Sequence, residues 1–169
     1  MNKKRKDDQS IWRRAGIAVL VAGALSVSVG GAHAGECPAD KRVADGQGQK
    51  NAGHAAKGVT DVVRASTDLS KEAPMLKDRL FRLRQLDVAP GGIVPFHSHD
   101  ERPAHIYIVK GTIVEYASNC AVPITHNAGD IAPEKKGVSH WWQNNTSEPV
   151  VLISVDILHD KAGVDKKMM

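Results

Sequence analysis

Two histidines one residue apart, His97 and His99, lead into a strand-like run in the stretch FHSHDERPAHIYIVKG, Phe96 to Gly111. Alternate side chains of a β-strand share a face, so both imidazoles can converge on one point. An imidazole pair held that close suits a borderline divalent metal: zinc, iron, manganese, nickel or copper, with ligand chemistry unable to choose. The alternative is two exposed polar residues on a sheet face. Arg102 follows in the loop, either as a clamp on a carboxylate or enediol or as a surface partner of Asp100 or Glu101. Phe96 and the pair Trp141-Trp142 offer aromatic surface. Adjacent tryptophans on a strand face opposite ways, so one can line a site while the other covers a sheet or a subunit interface. No activated nucleophile is visible, and Glu101 is the one acidic candidate for a base close in sequence to these histidines. His54 reads as a solvated residue and His126 as a hydrogen-bonded edge residue.

The elements that must position these groups are short strands. From Leu80 onward, LFRLRQLDV alternates apolar with charged residues, apart from one slip of phase near Gln85. HIYIV, TIVEY and VVLISVDIL are dense in β-branched and aromatic residues. In the last, Val151, Ile153, Val155 and Ile157 line one face at period two. Ala89–Gly92, Lys110-Gly111 and Asn127–Asp130 supply the turns between them. This pattern predicts an all-β antiparallel sandwich or barrel. Residues 35–75 read as an N-terminal extended arm or linker with a short helix or strand, the helix within Gly58–Pro74. Residues 76–160 form the expected barrel, and 161–169 a flexible C-terminal tail.

Residues 1–34 run from a charged start through the apolar stretch Ile17–Val29 to Ala32-His33-Ala34, the order of a secretory signal peptide. The expected location is therefore periplasmic or secreted. The apolar run is shorter than the roughly 20 residues that span a membrane, so no stable anchor is expected after cleavage. Of 23 basic and 19 acidic residues, this segment takes six and two, leaving 17 of each. The net charge of +4 is thus no sign of a nucleic-acid partner. Two cysteines in an oxidising compartment make a Cys37–Cys120 disulfide the expected pairing, closing a loop of 84 residues counting both ends. Free thiols and a lipidated Cys37 are the alternatives, though Glu36 is not the small residue that lipid processing prefers.

The histidine stretch and the residues C-terminal to it share a larger frame. Gly91, five residues, His97-x-His99 and then Gly111 make one motif. Gly129, seven residues, Gly137, two residues, His140, three residues and Asn144 make a second. In order and spacing these resemble the two motifs of the cupin superfamily, over about Leu80 to Leu158. More narrowly, the chain is similar to small single-domain exported cupins. The resemblance implies a cupin-type jelly-roll β-barrel, single-domain, with a metal near its middle held by motif histidines and a glutamate. His97, His99 and His140 match the three imidazole ligands. The family's glutamate falls at Ala104, and Lys135 stands where the second motif usually has proline. Glu101, folding back over the site, and His105, if a bulge before Pro103 reverses the strand parity, are the additional ligand candidates. Without either, three neutral imidazoles leave a +2 charge uncompensated, which favours anionic ligands and lowers the pKa of bound water. The expected activity is metal-dependent oxygenase or isomerase chemistry on a small molecule. Its alternatives are a non-catalytic ligand- or metal-binding module of the cell envelope and a homodimeric barrel with a vestigial site.

Overall fold

In the computed structural model, residues 35–159 are described; the expected signal peptide and the C-terminal tail lie outside the described residues. Eight antiparallel strands make one sheet: β1 Lys57–Asp68, β2 Arg79–Ser98, β3 Ala104–Lys110, β4 Thr112–Ala117, β5 Ile124–Asn127, β6 Ile131–Glu134, β7 Ser139–Gln143 and β8 Val150–His159. Neighbouring strands follow the order β5-β4-β7-β2-β8-β3-β6, with β1 added along β2. The sheet curls into a nearly closed barrel, the all-β antiparallel barrel expected from the turn-punctuated sequence and the jelly roll that the cupin resemblance implies. Its apolar core gathers Leu86, Val88, Ile108, Ile113, Trp142, Val150 and Leu152.

β2 is long enough to serve three partners. Its first half pairs with β1 and β8, and its last residues with β7. Between them the chain bends at Pro90-Gly91-Gly92. Gly91 has φ +69°, a conformation that favours glycine, and a Cβ on Gly92 would press into Ala89 O and Val88. Asn144, fully buried, pins this bend: its amide donates to Val88 O, Ala89 O and Glu148 O. The spacing of Gly91 and Asn144 in the sequence thus has a mechanical meaning, since one fixes the other and both set where His97 meets β7.

Gly58–Pro74 contains both a strand and a short helix. It holds most of the twelve-residue β1 and then a single helical turn, α1 Leu69–Glu72, N-capped by Asp68. Val59, Thr60, Val62 and Val63 are β-branched, and β2 offers an unpaired edge, so pairing wins over weak helix propensity. The slip of phase near Gln85 is a change in which face carries the apolar residues, not a break in the strand. β2 pairs with β8 in unbroken register from Arg79 to Val88, which turns Arg82, Arg84, Leu86 and Val88 inward and leaves Phe81 and Leu83 exposed. Likewise Ser154 and Asp156 of β8 face inward, while Val151, Ile153, Val155 and Ile157 form its outer, half-buried face.

Cys37 and Cys120 are joined, the pairing expected from two cysteines. The arm after Cys37 is strapped to the barrel by backbone hydrogen bonds, Val43 N–H to Asn119 O (2.9 Å) and Gly48 N–H to Ser118 O (2.7 Å). A Cβ at Gly48 would overlap the backbone of Cys120, so only glycine allows this approach.

Candidate metal centre

His97 on β2 and His140 on β7 are direct cross-strand partners, and His99 follows one residue beyond the end of β2. Their ligand atoms lie within 4.8 Å of one another. His140 Nε2 is 3.1 Å from His97 Nε2 and 3.0 Å from His99 Nε2. The Nδ1 atom of each ring faces an acceptor: Pro95 O for His97 (2.8 Å), Arg102 O for His99 (2.8 Å) and Glu115 Oε1 for His140 (2.6 Å). Each Nδ1–H therefore donates, which leaves three Nε2 lone pairs aimed at one another. Lone pairs repel at that distance unless a cation sits among them, so the donor set fits a divalent metal.

Burial and the neighbouring His140 keep His97 well below the ordinary histidine range, and hold His99 at about 3. Burial pulls His140 the same way, but the carboxylates of Glu134 and Glu115 outweigh it and raise its pKa. Two rings are thus held neutral, as ligands must be, while His140 is the ring whose neighbours most favour a proton that a metal would have to displace.

Two carboxylates that the sequence motifs do not reveal, Glu115 and Glu134, stand behind the histidines. Glu115, inward on β4, accepts from His140 Nδ1 and from His126 Nε2 (2.8 Å). Burial pushes its carboxyl up, but these hydrogen bonds prevail and hold it at about 2. Glu134 stands directly across from Ala104 in the β3–β6 ladder, with Oε2 3.4 Å from His140 Nδ1. Burial pushes Glu134 up to about 8. Both carboxylates sit on the far side of the His140 ring from His97 and His99. They orient and polarise that ring, the role outer partners commonly play at metal sites. Strand alternation in TIVEYA, with Ile113 and Ala117 apolar and inward, is the signal that could place Glu115 inside.

The other candidates scatter. Glu101 is exposed beside a separate surface groove, because the turn closed by Arg102 N–H to His99 O sends Arg102 inward and Glu101 out. His105 is exposed and Ala104 buried, since β3 keeps regular parity until a bulge between Ile108 and Lys110. Arg102 is only 3% exposed, lies 3.7 Å from Asp156 and lines the cavity beside the histidines. Trp142 lines that cavity too, with its Nε1 3.4 Å from His140 Nε2. Trp141 faces the opposite side, stacked on Tyr116 with ring centroids 3.9 Å apart and tied to Lys50 O. Phe96 is half-buried and is not among the cavity-lining residues. His126 is fully buried, while His54 is exposed and edges onto Trp141.

Residues 84–156 match the family model described as a cupin domain. Among curated proteins, the chain is 33% identical over 72 residues to auxin-binding protein ABP19b of Prunus persica, covering 41% of this chain and 34% of that one. It is 31% identical over 75 residues to germin-like protein 5-1 of Oryza sativa subsp. japonica, covering 43% and 34%. The chain therefore spans about a third of the length of these relatives. Among solved structures, it is similar to an uncharacterized conserved protein with a double-stranded beta-helix domain from Klebsiella pneumoniae, with a TM-score of 0.47, 22% identity and coverage of 65% and 84%.

Proposed function

Because this chain is a cupin-superfamily protein, with its cupin domain over residues 84–156, we propose that it holds one divalent metal on His97, His99 and His140 and acts on a small, anionic molecule beside it. The observation that carries this reading is the convergence of three Nε2 atoms whose rings are each fixed through Nδ1. The metal would supply Lewis-acid or redox chemistry, according to its identity. The chain's own part is to orient the three rings, keep the cavity apolar and admit ligand. The reaction class is that of a metal-dependent oxygenase or isomerase. A non-catalytic module that binds a ligand or metal in the cell envelope is the second reading. It is favoured by the state of Asp61, the carboxylate that lines the cavity, which is bonded to Arg84 rather than free to act as a base. Conversion or unchanged recovery of a bound carboxylate by the metal-loaded protein separates these two. The disulfide supports export to the periplasm or beyond.

Elemental analysis of untagged protein should find one equivalent of a divalent metal per chain. Metal binding should release a proton from His140 as the pH falls through its raised pKa, and none from His97 and His99, whose pKa values are lowered. Affinity should accordingly fall as the pH drops through the His140 pKa. Calorimetry in buffers of different ionisation enthalpy reads this directly. No stoichiometric metal, together with no binding of added zinc, iron, manganese, nickel or copper, would end the metal reading.

A homodimer fits the outer face of the sheet, where Phe81, Leu83, Tyr107 and Val109 are exposed around the half-buried apolar face of β8. A patch of that kind is self-complementary when a second copy meets it across a two-fold axis. Sedimentation should give a dimer mass for the wild type and a monomer for Phe81→Arg. A monomeric wild type would rule the dimer out.

A further inference from the structure

Gly35 is buried, although Glu36 beside it is exposed. Its φ of +93° favours glycine, and the point where a Cβ would stand has unusual surroundings. That point lies 3.1 Å from His126 Nδ1, 3.3 Å from Asp130 Cβ and 3.4 Å from Ile131 O. A methyl group gains nothing from the nitrogen and the oxygen there, whereas an amine can donate to both. His126 itself is fully buried. Its Nε2 lies 2.8 Å from Glu115 Oε2, and a carboxylate only accepts, so Nε2 carries the hydrogen. Nδ1 is left with a lone pair that is closed off from solvent and has no hydrogen-bond partner among the described residues. A buried acceptor left in that state is costly.

While Gly35 is joined to Ala34, its nitrogen is a peptide nitrogen held by that φ, and its single N–H does not bond His126 Nδ1. Hydrolysis of the Ala34–Gly35 bond changes this. The nitrogen becomes an amine with further hydrogens, free to turn about the Cα–C bond. Nitrogen and Cβ are equivalent tetrahedral substituents at similar bond lengths, so a turn of about 120° carries the amine to the point just described. We propose that this point is the seat of the mature protein's α-amino group, which donates there to His126 Nδ1 and Ile131 O. The proposal rests on reading residues 1–34 as a signal peptide that ends at Ala34. An α-amine ordinarily titrates at about 8, so at neutral pH it is mostly charged. Its burial therefore needs a nearby negative charge, which Asp130 at the edge of the seat supplies. Cys37, bonded to Cys120 of the barrel, keeps Gly35 from drifting away. Once seated, the amine extends the row of hydrogen bonds that runs from His126 through Glu115 to His140, and so becomes the outermost support of that ring. His126 acts here as a positioning residue.

The test compares two forms released from a fusion partner by a site-specific protease, both with the disulfide formed. One begins at Gly35, and the other keeps Ala34 in front of it. The form that begins at Gly35 should melt roughly 5 °C or more above the longer one, the effect of a buried, charge-assisted hydrogen bond in a domain of this size. Its α-amine should be acylated at least about tenfold more slowly in the native than in the unfolded protein, because reaction must wait for local opening. The amine of the longer form should show no such protection. His126→Gln keeps a donor toward Glu115 at the Nε2 position but has no acceptor where Nδ1 stands, so it should largely erase the gap in melting temperature between the two forms. Equal melting of the two forms, or a Gly35 amine as reactive in the native protein as in the unfolded one, would overturn the seat. A gap that His126→Gln leaves intact would overturn it as well. Because a protease makes both forms, these results do not depend on export. Protein from the cell envelope that begins elsewhere than Gly35 would overturn the signal-peptide reading, and with it the seat's place in the mature protein, even where the released forms behave as expected.

Discussion

Replacing His140 by alanine should lower affinity for a divalent metal by about a hundredfold or more, and should destabilise the protein even without metal. The first effect follows from geometry: His140 Nε2 is the atom that both other ligand nitrogens approach. Losing only an outer partner of a ligand costs about 10–100-fold in affinity, so losing the ligand should cost at least the upper figure. The second follows from the groups behind the ring. Without His140, one oxygen of the buried Glu115 loses its donor and Glu134 loses its nearest imidazole. An unsatisfied buried group costs roughly 1–3 kcal/mol. His97→Ala should separate the effects, because the carbonyl of Pro95 is the partner of that ring, so metal is lost with little change in metal-free stability. Glu115→Gln should weaken metal binding about 10–100-fold while leaving all three histidines in place. Glu101→Gln, out on the surface, should change nothing. Metal titrations and melting curves on the five proteins measure the whole series. Wild-type metal affinity in His140→Ala would refute the site, and a metal-free melting temperature matching wild type would refute the buried Glu115–His140 bond.

Breaking the Cys37–Cys120 bond should cost up to about 4–5 kcal/mol, because the loop it closes is long: the two residues are 83 apart in sequence. For a domain of this size that corresponds to a fall in melting temperature of roughly 10–20 °C. Cys37→Ser is the suitable variant, since Cys120 is fully buried and Cys37 is not. The arm between Cys37 and Gln49 contributes backbone hydrogen bonds but no residue to the buried core clusters, so the disulfide should hold it more than packing does. Hydrogen exchange at Val43, Gly48 and Gln49 should therefore quicken in the variant before the barrel strands respond. Protein taken from the cell envelope should carry the linked pair and begin at Gly35. Two freely alkylated thiols there, or a retained Met1, would count against export and the bond together.

The two glycine–histidine frames make the barrel and the three imidazoles legible in the sequence. Both kinds of information are local: strand alternation places His97 and His99 on one face, and the turns at Gly91, Gly111, Gly129 and Gly137 sit where φ is positive. The disulfide is legible for a different reason, since two cysteines allow one pairing. β1 is harder, because GVTDVVRASTD alternates poorly and owes its strand to the edge that β2 presents. The contents of the barrel are decided only by tertiary structure. In an isolated strand, LFRLRQLDV reads as apolar in and charged out, yet Arg82 and Arg84 face inward. They can do so because Asp61 and Asp156 arrive on β1 and β8 from 23 and 74 residues away to pair with them. Glu115 and Glu134 likewise acquire a role only when β4 and β6 close around His140. Periodicity in a sequence says which residues share a face. Which face turns inward depends on whether other strands bring the charges that make burial tolerable, and those strands meet only in the folded chain.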